Sequence, residues 1–102
     1  MGKYYNIEEV SNFDGMVEIK VNFGEPASND IIVTEVSEMD LSHLNGKTCL
    51  INGPASLPVA FVLAHKLLHQ FTQIGIFDPK MGGYVIVSSH GGELKVGGVI
   101  RR

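Results

Sequence analysis

The clearest pattern in the chain is the alternation of apolar and polar residues over Met16–Phe23. From position 17 to position 23 the odd-numbered residues are apolar, while the even-numbered ones, Glu18 among them, are polar. A period of two is typical of a strand with one buried face. Residues 4–10 predict an edge strand before it, and Asp14-Gly15 predicts the hairpin turn that joins the two.

The next segment, residues 29–44, fits two structures. Its β-branched residues favour a strand, whereas Asn29 or Asp30 could cap a short helix. A short helix followed by an irregular link is the prediction. After an Asn45-Gly46 turn, the apolar run 48–51 predicts a strand buried on both faces.

A long helix is predicted between Ser56, its cap, and about Gln70, with Pro58 tolerated in the first turn. Residues placed at intervals of 100° put His65 and His69 together on the polar arc. The other arc is wide and apolar and contains Ala60, Phe61, Leu63, Ala64, Leu67, Leu68 and Phe71.

The strand predicted at residues 74–77 should lie parallel to residues 48–51, because a helix connects the two. Loops 52–54 and 78–80 then meet at the edge where open α/β sheets bind ligands. An antiparallel strand at residues 84–88 and an edge strand at residues 93–100 complete the sheet. The prediction is a small single α/β domain over residues 1–102: a mixed, mostly buried sheet, one long helix in a βαβ unit and one short helix.

Composition narrows the class of protein. No run of eighteen apolar residues and no apolar leader is present, so we expect neither membrane insertion nor export. The single cysteine, Cys49, should pack as a small hydrophobe in a protein of the reducing cytoplasm. The net charge of -3, with eight scattered Lys and Arg, argues against binding a long nucleic-acid duplex. A small anion held by a few local donors is still allowed.

Three short segments carry candidate chemistry, and each also has a purely structural interpretation. His65 and His69, spaced i and i+4, could bind one metal ion, or could lie on a solvated face near the helix end. Asp78-Pro79-Lys80 could supply a metal ligand or base and a phosphate-binding cation, or could form only a turn. Both interpretations of this segment can hold together.

The third segment follows residues 84–88. Ser88, Ser89, His90 and Gly91 could form an anion-binding loop in which His90 transfers a proton, or could form a plain loop. His43 lies in a polar connection and is expected at the surface.

Four motifs, in this order and spacing, together resemble a known family: Ile51-Asn52-Gly53, Ala64-His65-Lys66, Phe77-Asp78-Pro79-Lys80-Met81-Gly82 and Val87-Ser88-Ser89-His90. The family comprises the small manganese-dependent ring nucleases of type III CRISPR systems, which cleave cyclic oligoadenylate second messengers, chiefly cyclic tetraadenylate. The resemblance implies a functional set of Asp78, His90 and a histidine at the helix end.

The chain departs from the family pattern in three places. Near Gly53 the family tends to have Arg, then Pro and Trp further on, whereas this chain has Pro54-Ala55-Ser56-Leu57-Pro58. Lys80 stands where the family usually carries Arg. A guanidinium can bind phosphate at two places at once, whereas an ammonium acts as a point charge. The helix-to-Asp78 spacing is one residue longer, so either Leu68 or His69 could occupy the helix position; we assign it to His69. A non-catalytic sensor or sponge that binds cyclic nucleotides is the alternative function.

The resemblance leads to a set of roles for the candidate residues. His69 and His90 would act as general base and acid, Lys80 would stabilise phosphate charge, and Asp78 would orient the site or bind metal. His65, His69 and Asp78 are the candidate manganese ligands. The candidate ligand-binding residues are Asn52, Gly53, Ser56, Ser88, Ser89 and Gly91.

Topology places the histidines and Asp78 at opposite ends of a strand. Four predicted strand residues would separate them by roughly 13 Å or more. We therefore expect a composite site in a homodimer or higher homo-oligomer.

Overall fold

The strands of the protein lie side by side in the order in which they occur along the chain, β1-β2-β3-β4-β5-β6. A computed structural model describes residues 2–102. The strands are β1 (Tyr5–Phe13), β2 (Met16–Phe23), β3 (Gly46–Asn52), β4 (Phe71–Asp78), β5 (Gly83–Ser89) and β6 (Val99–Arg101). The helices are α1 (Asn29–Glu38) and α2 (Leu57–Leu67).

The two helices explain the mixed direction of the strands. Helix α1 links β2 to β3 and α2 links β3 to β4, and both strand pairs are parallel, as predicted for the second. The remaining neighbours are antiparallel. β1 and β2 join at Asp14 and Gly15, whose positive φ values of 54° and 82° suit the tight hairpin turn expected there.

Both helices pack on one face of the sheet and form the main core with it. The core combines side chains of α1, α2 and strands β2, β3 and β4, for example Val36, Leu63, Ile19, Cys49 and Ile74. Cys49 packs there as a small hydrophobe, as predicted, and burial raises the pKa of its thiol to about 12.

The second face of the sheet is also covered in part. Around Gly75, which leaves space for larger neighbours, the side chains of Leu50 and Ile86 approach closely, and Tyr84 is fully buried. Glu18 lies on this face and is only 3% exposed. The prediction that Glu18 faces solvent is therefore wrong, because alternation identifies the face of a residue but not what covers that face.

The helices differ from the predictions at their ends. Ser28, rather than Asn29 or Asp30, precedes the first turn of α1 as its cap. Ser56 caps α2 as predicted, but α2 ends at Leu67 instead of Gln70. After Leu67 the chain tightens into turns in which the Gln70 N–H donates to the Leu67 carbonyl at 2.9 Å, because β4 begins at the next residue.

The apolar arc of α2 is narrower than its sequence suggests. Val59, Leu63 and Leu67 are buried, whereas Phe61 is 73% exposed and Leu68 is also exposed. The helix contacts the sheet and α1 along one stripe, so the flanks of the arc face outward. None of the helices formed within residues 2–102 has the length and apolar character needed to cross a membrane.

The last predicted strand is much shorter than expected. The predicted strand covers residues 93–100, whereas the strand that pairs with β5 is Val99–Arg101. Residues 90–98 are irregular, and Gly91 and Gly97 adopt φ values of 77° and 91°, which L side chains avoid. The glycine-rich segment thus runs as a loop that returns to the edge of β5.

Candidate functional site

One candidate region lies at the carboxyl ends of β3 and β4. Ile51 pairs with Ile76 in this parallel ladder, so the segments after Asn52 and Asp78 emerge at the same edge, as predicted. We call this edge the aspartate end; it comprises residues 52–56 and 78–82.

Asp78 organises the turn that follows β4. Its Oδ1 accepts hydrogen bonds from the backbone N–H of Lys80 at 2.9 Å and of Met81 at 3.4 Å. The Gly82 N–H donates to the Asp78 carbonyl at 3.0 Å. The turn interpretation is therefore confirmed, and Lys80 stays exposed on it. Among residues 2–102, no donor contacts the second carboxylate oxygen of Asp78, which leaves that atom accessible to a ligand.

The neighbouring loop is held by contacts with β1 and β2. The Tyr5 hydroxyl donates to the Pro54 carbonyl at 2.7 Å. Gly53 has a φ of 137°, and a Cβ there would lie 2.0 Å from the Val21 carbonyl oxygen, so only glycine fits. The Ser56 hydroxyl accepts from the Val59 N–H at 3.4 Å. Gly53 and Ser56 thus have structural roles in this loop, whatever they contribute to a ligand.

The histidines lie at the opposite end of the sheet. His69 and His90, from the turn after α2 and the loop after β5, line one cleft of about 350 Å³. The His90 N–H donates to the Thr72 carbonyl at 3.0 Å, which ties its loop to the start of β4. His65 contacts His69 edge to face, with ring centroids 5.1 Å apart. The structure thus brings the two predicted proton-transfer residues together at what we call the histidine end.

A buried amide supports the loop that carries His90. Gln73 is only 1% exposed; with its amide oriented to satisfy every partner, its nitrogen donates to the Thr48 hydroxyl at 2.8 Å. Its oxygen accepts from the N–H groups of Leu94 at 2.8 Å and Glu93 at 3.1 Å. A Cβ on Gly92 would lie 1.9 Å from this amide, so a larger residue there would displace the Gln73 side chain. Sequence reasoning missed Gln73, although a lone polar residue in an apolar strand was a detectable signal.

The predicted ligand-binding residues of the histidine end differ in whether their polar groups are already hydrogen-bonded or buried within the fold. The Ser89 hydroxyl donates to the Leu94 carbonyl at 2.6 Å and is committed to the loop. Ser88 pairs with Ile74 in the ladder and is half-buried. Gly91 is exposed, and its φ of 77° gives the loop its sharp turn.

The two ends are further apart than the sequence suggested. β4 contains eight residues rather than four, so at 3.3 Å per residue it spans about 23 Å between the turn that carries His69 and Asp78. Within residues 2–102, no three side chains of His, Cys, Asp or Glu come together as a metal site would require. His65, His69 and Asp78 of a single copy therefore do not fit one manganese ion.

A second polar cluster, which sequence reasoning missed, lies on the face of the sheet opposite the helices. Both carboxylate oxygens of Glu18 accept from Arg102, at 3.0 Å from Nε and 2.9 Å from Nη2, and the Tyr84 hydroxyl donates to the same carboxylate. The Arg102 hydrogen bond holds the pKa of Glu18 below its usual value, in spite of burial. Burial and the nearby Glu18 carboxylate raise the pKa of Tyr84.

The fold is a small α/β domain with polar groups at both ends of its sheet, and comparison with known proteins places it among CRISPR-associated proteins. Residues 27–101, which include both helices and both ends of β4, match the family model described as CRISPR-associated protein (Cas_csx3). The chain belongs to this family.

A bacterial chain is similar to this one over a shorter stretch. It is a protein of Aquifex aeolicus (strain VF5), named only "Uncharacterized protein", and it is 54% identical over 33 residues. The match covers 32% of this chain and 30% of that protein, so it spans less than a third of either.

Proposed function

We propose that the protein is a ring nuclease that cleaves a cyclic oligoadenylate, with cyclic tetraadenylate as the first candidate substrate. The observation that carries the proposal is the cleft shared by His69 and His90 in a chain of a CRISPR-associated family. Two imidazoles at one cleft supply the base and the acid that transfer of a phosphodiester needs.

The substrate brings its own nucleophile. A ribose 2′-hydroxyl attacks the adjacent phosphorus, so that a 2′-oxygen–phosphorus bond forms while the bond to the 5′-oxygen breaks. One histidine accepts the 2′-hydroxyl proton and the other donates a proton to the departing 5′-oxygen. Such proton transfer contributes typically 10²- to 10⁴-fold to the rate.

The residues at the aspartate end would complete the site from another copy. Lys80 is an exposed cation that suits a phosphate oxygen, and Asp78 keeps one carboxylate oxygen accessible. Since the length of β4, about 23 Å, separates the two ends in one copy, we infer that the histidine end of one subunit faces the aspartate end of another in a homodimer or larger assembly. Manganese, if it binds, would take its ligands from two copies or from the phosphates of the substrate.

The alternative is a non-catalytic sensor or sponge that retains the cyclic nucleotide intact. The distance between the two ends favours this possibility if the copies do not assemble. Lys80 would then contribute affinity only, as a compact charge on an exposed turn.

A cleavage assay distinguishes the two functions. Labelled cyclic tetraadenylate is incubated with the protein, with manganese and with a chelator, and linear products are separated from the ring. We expect linear products from the unaltered protein, and a loss of about 10²- to 10⁴-fold in His69→Ala and in His90→Ala.

His43→Ala is the matched control, because His43 is an exposed imidazole of the link after α1 that does not line the cleft of His69 and His90. It should cleave at the rate of the unaltered protein. Retention of the intact ring without linear products would support the sensor, and neither retention nor cleavage would overturn both functions.

A further inference from the structure

Arg101 occupies the same row of the sheet as Asp78. Asp78 pairs with Gly83, and Gly83 pairs with Arg101, so the three residues lie directly opposite one another on β4, β5 and β6. Paired residues share a face of the sheet. Because the central residue is glycine, no side chain stands between Asp78 and Arg101, whose Cα atoms are two strand spacings or about 10 Å apart.

The guanidinium of Arg101 reaches the turn that contains Lys80. Its Nη1 donates to the Met81 carbonyl, and the side chain is exposed. In the part of the chain that the structure describes, the ion pairs are Lys47 with Glu93 and Arg102 with Glu18. Lys80 and Arg101 therefore present two positive charges beside the single carboxylate of Asp78, and the excess charge favours an anion.

The neighbour of Arg101 explains why it faces this way. Arg102 is fixed on the opposite face by its two hydrogen bonds to the buried Glu18. Successive side chains of an extended segment alternate between faces, so this anchor directs Arg101 to the face of Asp78. β6 has only three residues, so its pairing with β5 alone would hold it weakly. The Glu18 cluster thus helps to orient β6.

We propose that Arg101 is a phosphate-binding residue of the aspartate end and contacts the phosphodiester of the ligand together with Lys80. This inference rests on the proposed function. A guanidinium offers a planar fork of donors that can bind two phosphate oxygens at once, and Arg101 uses only one nitrogen for Met81.

The test measures affinity for a 2′-O-methylated cyclic tetraadenylate, which lacks the nucleophile and stays intact during titration. Arg101→Gln is compared with Arg101→Lys and with Lys95→Gln. Lys95→Gln is the matched control because it removes one exposed positive charge from loop 90–98. Thermal unfolding of each variant verifies that the fold is unchanged.

We expect Arg101→Gln to bind about tenfold to a hundredfold more weakly, since a hydrogen bond to a charged group is lost. The slope of log affinity against log salt should become shallower by about 0.7, the value for one phosphate contact of a single strand. The affinity of Arg101→Lys should lie between those of the unaltered protein and Arg101→Gln, because lysine keeps the positive charge but lacks the planar set of N–H donors of the guanidinium.

Equal affinities for Arg101→Gln and Lys95→Gln would overturn the inference while leaving the proposed function in place. Absence of binding by the unaltered protein would overturn both.

Discussion

At the scale of single residues, Glu18 shows how a buried charge is accommodated. Its carboxylate receives two hydrogen bonds from Arg102 and one from Tyr84, and no buried side-chain oxygen or nitrogen among residues 2–102 lacks a partner. A buried charge that loses its partner is costly, whereas a fully satisfied one is tolerated. The cluster therefore fixes the path of residues 99–102 more than it adds net stability.

This cluster predicts a dependence of stability on pH. The pKa of Glu18 is lowered from 4.5 in the folded protein, so its contribution is present above about pH 4.5 and is lost as pH falls through the folded pKa. Glu18→Gln should reduce the free energy of unfolding at pH 7 by about 1–3 kcal/mol. It should also flatten the decline of that free energy below pH 4.5.

Denaturant unfolding at a series of pH values measures this effect. Glu8→Gln, an exposed acid on β1, is the control and should follow the unaltered protein. Parallel pH profiles for Glu18→Gln and the unaltered protein would contradict the assignment.

At the scale of elements, the loop over residues 90–98 replaces most of a predicted strand and carries His90. Little of the loop takes part in regular strand pairing. The buried amide oxygen of Gln73 accepts hydrogen bonds from two of the loop's N–H groups. The position of His90 in the cleft thus depends on a side chain from β4 that does not itself line the cleft.

Gln73→Leu should therefore loosen this loop. Removing the amide leaves the Thr48 hydroxyl and two backbone N–H groups without their partner, which should cost about 1–3 kcal/mol of unfolding free energy. Hydrogen exchange should accelerate at the amides of Glu93 and Leu94 more than elsewhere. Thr72→Val, a neighbouring substitution that keeps the backbone carbonyl bonded to His90, should leave that exchange slow.

The elements also show how far the sequence alone predicts this structure. β2 has its predicted bounds, because the alternation of apolar and polar residues is a local property of the chain. The cap of α2 at Ser56 was also predicted correctly from the local sequence. The end of α2, the short β6 and the burial of Glu18 were not predictable, because each depends on contacts between distant parts of the chain. Arg102 was missed for the same reason.

The candidate site was also predictable only in part. Topology placed His69 and His90 at one end and Asp78 at the other, because strand direction follows from the βαβ connection. The distance between the ends was underestimated, since four of the eight residues of β4 are not part of the continuous apolar run that predicted it.

At the scale of the whole molecule, one copy presents two incomplete sets of groups on opposite ends of its sheet. Mixing two inactive variants tests whether a second copy supplies the missing set. His69→Ala and Asp78→Ala, inactive alone, should regain about a quarter of full activity when mixed equally, since half the dimers are mixed and each has one intact site.

A second mixture provides the control. His69→Ala and His90→Ala both damage the histidine end, so no pairing of these copies restores an intact site. If the first mixture stays as inactive as this one in the cleavage assay, the shared site is wrong.

The sequential order of the strands has a consequence for biosynthesis. Each strand pairs with the strand made just before it, so a chain leaving the ribosome could add β1 to β5 one after another without waiting for distant segments. The bond from Arg102 to Glu18, across 84 positions, can form only after all six strands have been made. Closure of that bond follows the synthesis of β1 to β5, so the orientation of Arg101 is set only after the rest of the sheet is able to pair.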